Sequence, residues 1–328
     1  MKLFDPKNPP PLYSESIFMD SGAYSLYNNE VLKKQGADGK QLAVQALGIR
    51  GKDYSFYNLA QGSPFRRYCD TYAKFIKKTQ GQEVLVVNVD ALQNPEVTWQ
   101  VQCYFEQEHG LYPVPVVHAG EPIKYLARYL ESGKHDLIGI GGLGHSISLT
   151  TYLKWADSVF GMICPASNKY LPTVRTHGFA MTSWKLICRY PWWSVDSATW
   201  VKLSAYGWLY VPRWRKDLGW RFDRPPIQVN ASFRSPMQKK TDKHIDNVSD
   251  DMRHLVARWM DRCGVVEGSV DEKGETKVWG IRSHFCARSR CNLYYFKDLE
   301  ESRPAWPHPL GPEIIASNGK THRKGFGL

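Results

Sequence analysis

The sequence predicts an α/β fold built on a buried parallel sheet. Short runs of apolar residues, continuous rather than alternating, are each followed by a segment with helical spacing. Continuous apolar strands are typical of parallel sheets, which helices cover on both faces. For a chain of 328 residues with this many strand–helix units, a single (β/α)8 barrel is the architecture that we expect first, ahead of a doubly wound sheet.

The predicted elements alternate along the first two thirds of the chain. Apolar runs predict strands, and amphipathic spacing predicts the helices between them; the helix near residue 70 has a basic face. Strands are predicted at 17–19, 84–89, 114–117, 137–140, 174–176 and 193–195, and helices at 65–78, 95–109, 123–131, 148–159 and 183–189.

The last third of the chain is less regular. We expect residues 1–300 to form one barrel, with 206–250 as a basic, aromatic insertion or loop region. Residues 252–263 fit a closing helix, and 281–297 hold a cysteine-rich piece and an aromatic, strand-like run. A small C-terminal extension, the basic and Pro/Gly-rich tail 301–328, is expected to pack poorly.

Composition indicates a polyanionic partner. Lysine and arginine outnumber the acids by 43 to 32, a formal net charge of +11, and aromatic residues are plentiful. Positive side chains neutralise phosphates and aromatic rings stack on bases, so this balance favours nucleic acid. The seven cysteines, the N-terminus without an apolar core and the lack of a membrane-length apolar run favour a cytoplasmic protein with no membrane partner.

Carboxylates stand at the ends of three predicted strands. Asp20, Asp90 and Asp196 each follow an apolar run, and His118 follows another. For any one of these aspartates, a turn or a helix cap is the commoner role. Because the strand ends of a barrel face one pocket, the set together suits acid/base work and a nucleophile at an anomeric carbon.

The glycine-rich segment 139–144 matches the pattern G-x-G-x-x-G of dinucleotide-binding turns. It follows a strand and precedes a helix, but the next strand candidate ends in Cys164-Pro165 rather than in the acid that holds a ribose. An NAD-dependent oxidoreductase is therefore one alternative. Backbone N–H groups exposed to a flat ligand explain the glycines better.

Six short motifs resemble one enzyme family. IFMDSGAY, VNVD, PVVHAG, IGIGGLG, VRTHGFAMTS and WSVDSATW lie in the order and rough spacing of the tRNA-guanine transglycosylase superfamily. They are most similar to phage-encoded members that insert 7-deazaguanines into DNA. The resemblance covers residues 16–200.

The resemblance implies a role for each matching residue. Asp196 would be the nucleophile that attacks C1′ and displaces guanine, and Asp20 the general acid/base. Base-binding residues would be Ser21, Asp90, His118, Gly141, Gly142, Leu143 and His177. No cofactor is required, because a carboxylate that attacks C1′ can also leave. The sequence departs from the tRNA enzymes at Ala23, at His118 in place of glutamine, and after the nucleophile, where Ser197-Ala198-Thr199 replaces Pro-Thr-Arg.

Two further residue sets are candidates for binding. Arg213, Arg215, Lys216 and Arg221 would neutralise phosphates while neighbouring tryptophans stack on unpaired bases, unless those tryptophans complete the core. A structural zinc site could use Cys263, His284, Cys286 and Cys291, although buried free cysteines are also common.

These expectations define the predicted function. The chain would replace guanine in DNA with a 7-deazaguanine through a covalent Asp196 intermediate. The alternatives are the same reaction on tRNA and a non-catalytic nucleic-acid-binding subunit. The oligomeric state is not predicted.

Overall fold

The helix that follows Ser63 begins where the sequence carries a helix-start signal, a serine followed by a proline. The computed structural model describes residues 17–21, 55–58, 63–80, 84–91, 94–142, 147–235 and 242–303. Within these ranges, α1 (Pro64–Thr79) begins at proline, and the hydroxyl of Ser63 caps it by accepting the backbone N–H of Arg66 at 3.3 Å. The prediction of a helix at 65–78 is confirmed.

Contacts divide the chain into two units. The first contains residues 1–141 and 174–176, and the second residues 142–173 and 177–328. Elements of the first unit are β1 (Ile17–Met19), α1, β2 (Val84–Val86), α2 (Pro95–His109), β3 (Val116–His118), α3 (Lys124–Ser132) and β4 (Leu137–Gly141).

Strands of the first unit pair in parallel. Met19 pairs with Val86, Val87 bridges Val114, and Val116 pairs with Gly139. Strands β1 to β4 therefore lie side by side in chain order. The helices bury apolar faces in a core that includes Phe65, Val97 and Phe105, in keeping with the α/β prediction.

The second unit continues with parallel strands and then changes character. Its elements are α4 (Leu149–Ile163), β5 (Arg175–Gly178), α5 (Trp184–Arg189), β6 (Ser194–Val195), α6 (Thr199–Ala205), β7 (Trp208–Val211), β8 (Arg213–Arg215), β9 (Gly219–Arg221), β10 (Ile227–Asn230), α7 (Asp250–Cys263), β11 (Ser269–Val270), β12 (Thr276–Val278) and α8 (Phe285–Ser302). Arg175 and Thr176 of β5 belong to the first unit.

The parallel sheet keeps chain order up to β6. Its order is β3-β4-β5-β6, and His177 pairs with Ser194 in parallel. Beyond β6, strand β7 pairs antiparallel with β10, and β8 pairs antiparallel with β9. The molecule is thus a mixed α/β protein with a parallel sheet. The pairings of the described residues do not include the closure of an eight-stranded barrel.

Two expectations for the last third differ from the structure. Residues 206–250, expected as an insertion or loop region, contain the four strands β7 to β10. The strand-like run at 281–297 lies largely in helix α8, because Cys291, Tyr295 and Leu299 recur every four residues and enter the core with Trp259. That strand prediction was wrong. Tail residues 304–328 lie outside the described part of the chain.

No helix in the described ranges is both long and apolar enough to cross a bilayer.

Candidate active site

The candidate residues follow parallel strands in both units. In the first, Asp20 comes directly after β1, Asp90 lies four residues beyond the last residue of β2, and His118 and Gly141 end β3 and β4. In the second, His177 lies in β5 and Asp196 directly follows β6. Leu143 lies outside the described residues.

His118 sits between two carboxylates in the first unit. Its Nε2 lies 3.1 Å from Oδ2 of Asp90, and its Nδ1 lies 3.3 Å from Oε1 of Glu121. The backbone N–H of His118 also donates to Oε2 of Glu121 at 2.8 Å. Glu121 therefore holds both the main chain and the ring of this histidine.

This setting keeps the imidazole charged. Burial lowers the pKa of His118, but the contacts with Asp90 and Glu121 outweigh burial and raise the pKa to about 10. At pH 7 both ring nitrogens then carry protons, and each faces a carboxylate. His118 is placed to orient Asp90 rather than to contact a base with a ring nitrogen of its own.

The glycine at the end of β4 is explained by the same histidine. A Cβ atom on Gly141 would fall 2.3 Å from Cδ2 of His118. A Cβ on Gly142 would fall 2.5 Å from the carbonyl oxygen of Phe179. Close packing therefore accounts for both glycines, in addition to any exposure of backbone N–H groups to a ligand.

Asp20 and Ser21 stand at the end of β1. The side chain of Asp20 is exposed, whereas Ser21 is buried and its carbonyl oxygen accepts the hydroxyl of Tyr68 from α1. Burial raises the pKa of Tyr68, and the charges of Asp20 and Asp90 raise it further. Tyr68 is therefore a neutral hydrogen-bond donor that fixes the backbone next to Asp20.

Asp196 is an exposed carboxylate with one oxygen fixed. Its Oδ1 accepts the backbone N–H of Ala180 at 2.9 Å, while 61% of the side chain remains exposed. The backbone of Asp196 is also held in place. Its N–H donates to the carbonyl oxygen of Gly178 at 3.1 Å, and its carbonyl oxygen accepts the N–H of Met181 at 2.8 Å.

Ala180 adopts a strained conformation to make this contact. Its φ of 57° lies in the left-handed region, which costs a non-glycine residue about 1–2 kcal/mol. Strain of this kind is found at sites where the surrounding structure enforces it. Here it directs the N–H of Ala180 at the carboxylate.

His177 is a buried neighbour of Asp196 in the second unit. Its Nε2 lies 3.8 Å from Oδ1 of Asp196, and its Nδ1 lies 2.7 Å from the hydroxyl of Ser194. Burial lowers the pKa of His177, which the charge of Asp196 offsets only in part. The ring is therefore neutral at pH 7, and its position is set by Ser194.

The basic hairpin β8–β9 separates its arginines from its tryptophans. Trp214 lies opposite Trp220 in the antiparallel pair, so both rings occupy one face. Trp220 packs on Trp259, and the guanidinium of Arg258 lies 3.9 Å from the ring centroid of Trp214. Trp220 therefore packs against the core, as the alternative for these tryptophans expects, whereas Trp214 contacts α7 through Arg258.

The four predicted phosphate-binding side chains differ in their partners. Arg215 and Arg221 pair with Asp217 and Asp223, at 2.8 Å and 2.6 Å. Arg213 donates to the carbonyl oxygen of Pro225 at 2.7 Å. Lys216 is exposed in the turn, and no acid among the described residues pairs with it.

The zinc candidates fall into two pairs. Cys263 and Cys291 are buried together, and their mutual hydrogen bond and burial raise the pKa of Cys263. His284 instead stacks on Trp279 at 3.9 Å, and its Nδ1 accepts the backbone N–H of Cys286 at 3.2 Å. Within the ranges that the structure describes, no three His, Cys, Asp or Glu side chains gather as metal ligands would.

No protein-family model, curated protein or solved structure matches the chain. In each unit an acid near the end of a parallel strand has a fixed partner: Asp90 contacts the ring of His118, and Asp196 accepts the backbone N–H of Ala180.

Three residues of this arrangement were not identified from the sequence. Glu121 and Ser194 contact the candidate histidines, and Ala180 contacts Asp196. Glu121 lies three residues after His118, a spacing that could have indicated a contact across the turn. Nothing in the sequence indicates the backbone conformation of Ala180.

Proposed function

We propose that this protein is a base-exchange transglycosylase that replaces guanine in DNA with a 7-deazaguanine. The observation that carries the proposal is the Asp196 carboxylate, exposed at the end of β6 and fixed through one oxygen by the N–H of Ala180. A nucleophile needs an accessible atom and a set orientation, and Asp196 has both. Its motif, WSVDSATW, resembles that of the family nucleophile.

The two oxygens of Asp196 have different roles in this proposal. The contacts with Ala180 and His177 both fall on Oδ1. Oδ2 is therefore the oxygen that attacks C1′ of the nucleoside. The bond from C1′ to N9 of guanine breaks, its electron pair goes to the base, and an ester joins Asp196 to the sugar.

The second half of the reaction reverses these steps with another base. The nitrogen of the incoming 7-deazaguanine attacks C1′, the ester bond breaks, and Asp196 leaves as a carboxylate. The resemblance assigns to Asp20 the proton transfers to the outgoing base and from the incoming base, and to Asp90 the contact with the base edge. No metal or redox cofactor is needed, because one carboxylate serves as nucleophile and leaving group.

A barrel is the architecture that we propose for this chemistry. The parallel strands β1 to β6 follow chain order, through the pairings of β1 with β2, the bridge from Val87 to Val114 and the sheet β3-β4-β5-β6. A doubly wound sheet reverses its strand order near the middle, whereas a barrel does not. The chain order supports the barrel.

DNA is the nucleic acid that we propose, with tRNA as the alternative. The net charge of +11 and the exposed cations Arg213 and Lys216 supply phosphate contacts. A base inside a duplex cannot reach the end of a parallel sheet, so the target base must be flipped out or unpaired.

All seven cysteines have free thiols, in agreement with a reducing cytoplasm, that of a bacterial host if the chain is phage-encoded.

Asp196→Asn tests the proposal directly. Wild-type protein is incubated with labelled guanine and either DNA or unmodified tRNA, and label in the polymer is measured. We expect incorporation into DNA, and a loss of at least about 10³-fold in Asp196→Asn because the amide cannot attack C1′. The control is Asp251→Asn, a change at an exposed aspartate in the first turn of α7, which should keep the wild-type rate.

Each alternative has its own outcome. Label in tRNA and not in DNA would change the substrate and keep the mechanism. Nucleic-acid binding without exchange would identify a non-catalytic subunit. A wild-type rate in Asp196→Asn would refute the assignment of the nucleophile.

A further inference from the structure

The contacts of His118 single out a residue with no role in the reaction proposed above. Glu121 makes two contacts with this one histidine: Oε2 accepts its backbone N–H at 2.8 Å, and Oε1 lies 3.3 Å from its ring Nδ1. The remaining ring nitrogen faces Oδ2 of Asp90 at 3.1 Å. All of these residues belong to the first unit.

The three side chains are shielded from water. The exposed fractions of the side chains of His118, Asp90 and Glu121 are 23%, 13% and 9%. Coulombic attraction is stronger in such surroundings than at an exposed surface pair. Gly141, which packs directly against the ring, leaves it no room to move toward β4.

The charged and titratable groups around the three side chains come from three elements. Tyr68 of α1 is close to Asp20 and Asp90, and Tyr125 and Tyr129 of α3 are close to Glu121. Arg128 of α3 lowers the pKa of both α3 tyrosines and pairs with Glu96 of α2. The charges that raise the pKa of His118 are those of the two carboxylates in contact with its ring, Asp90 and Glu121.

We propose that Glu121 is a positioning residue that holds His118 doubly protonated and, through it, directs the Asp90 carboxylate at the base. The proposal rests on the proposed function, in which Asp90 contacts the base edge. Oδ2 of Asp90 is occupied by His118, which assigns Oδ1 to the base.

The consequence of losing Glu121 follows from the chemistry of imidazole. A neutral ring has a single N–H, which can reside on either nitrogen. Without the Glu121 charge, His118 loses its Nδ1 proton at lower pH, and the neutral ring that remains donates from Nε2 to Asp90 less strongly than the imidazolium does. Asp90 is then oriented less firmly, and the base binds less tightly above the new pKa of His118.

The test combines a titration with base-exchange kinetics on the full chain. The side-chain nitrogen shifts of His118 are followed by NMR in the wild type and in Glu121→Gln. We expect no loss of the His118 proton below about pH 9 in the wild type, and a lower midpoint in the variant. The KM for guanine should rise about tenfold in Glu121→Gln between pH 7 and 9, with a smaller change in kcat, and should stay flat in the wild type.

Two further variants separate positioning from stability. Glu106→Gln changes a carboxylate that lies 3.1 Å from another histidine of the same unit, His135; it should lower stability and leave KM unchanged. Glu121→Asp keeps the charge with a shorter side chain, and should recover most of the wild-type titration and KM. It also provides the test if Glu121→Gln does not fold.

Failure of the Glu121 proposal and failure of the proposed base exchange give different results. A His118 that titrates near pH 6.5 in the wild type, or a KM in Glu121→Gln that does not depend on pH, would overturn the proposal. A wild-type chain that exchanges no base would refute the proposed function, and the titration would still decide whether Glu121 holds the proton of His118.

Discussion

The two candidate histidines experience opposite electrostatic surroundings. His118 contacts Asp90 and Glu121, which raise its pKa to about 10. His177 is buried beside a hydroxyl and one distant carboxylate, so burial dominates and lowers its pKa. The first ring is a cation at pH 7 and the second is neutral. This difference fits a charged ring that orients Asp90 and a neutral ring that stands behind Asp196.

The charge of His118 predicts how stability depends on pH. Its folded pKa lies above the unfolded value of 6.5, so its contribution is fully present below pH 6.5 and is lost as pH rises to about 10. We expect the difference in unfolding free energy between wild type and His118→Gln to shrink from pH 7 to pH 10. Urea denaturation at several pH values measures it.

His135→Gln is the control for that series. Burial lowers the pKa of His135, so its contribution is lost only as pH falls below about 6.5. The difference between wild type and this variant should stay constant from pH 7 to 10. A constant difference for His118→Gln over the same range would contradict the charged state of His118.

The sequence indicates acids at the ends of apolar runs, but it does not indicate which residues contact them. Asp20 and Asp196 end apolar runs, and the structure places them directly after β1 and β6. Glu121, Ser194 and Ala180 act through tertiary contacts and a left-handed backbone, which apolar spacing does not encode. His118 was expected to bind the base, and its two carboxylate contacts explain why we assign it to positioning instead.

Among the elements, we propose that the hairpin β8–β9 contacts phosphates rather than stacked bases. Trp214 and Trp220 are engaged with Arg258 and Trp259 of α7. Arg215 and Arg221 are each balanced by an aspartate two residues further on. Within the hairpin, Arg213 and Lys216 are therefore the cations that pair with no acid among the described residues.

Lys216→Ala tests this interpretation of the hairpin. We expect weaker DNA binding and a slope of log affinity against log salt concentration that is reduced by about one. Lys297→Ala is the control, since Lys297 is exposed on α8 and pairs with Glu301 at 3.3 Å. Equal losses in the two variants would show that the hairpin has no specific role.

The helices of the first two thirds of the chain were predicted more accurately than the elements of the last third. The helix at 95–109 was predicted with the bounds that α2 has, because Pro95 and Gly110 mark its ends. Residues 281–297 misled the prediction, since the aromatic residues of α8 are β-formers in isolation. Burial of Cys291, Tyr295 and Leu299, every fourth residue, in the core with Trp259 favours the helix.

At the scale of the whole molecule, the α/β class follows from the apolar runs, and closure into a barrel does not. The strands β1 to β6 keep chain order, but β7 pairs antiparallel with β10. An apolar run predicts that a strand is buried; it does not predict its neighbour or its direction. For this reason the sequence predicted the parallel part of the sheet and missed the antiparallel pairs.

We propose that Asp196 becomes covalently joined to a nucleoside sugar, and trapping of the adduct can detect this bond. Wild-type protein is mixed with guanine-containing single-stranded DNA, denatured and digested with nuclease and trypsin. Cleavage after Arg189 and Lys202 releases the peptide 190–202, which contains Asp196. We predict that mass spectrometry finds a deoxyribose phosphate on Asp196 in this peptide and none in Asp196→Asn. An adduct on another residue, or one that persists in Asp196→Asn, would show that Asp196 is not the nucleophile.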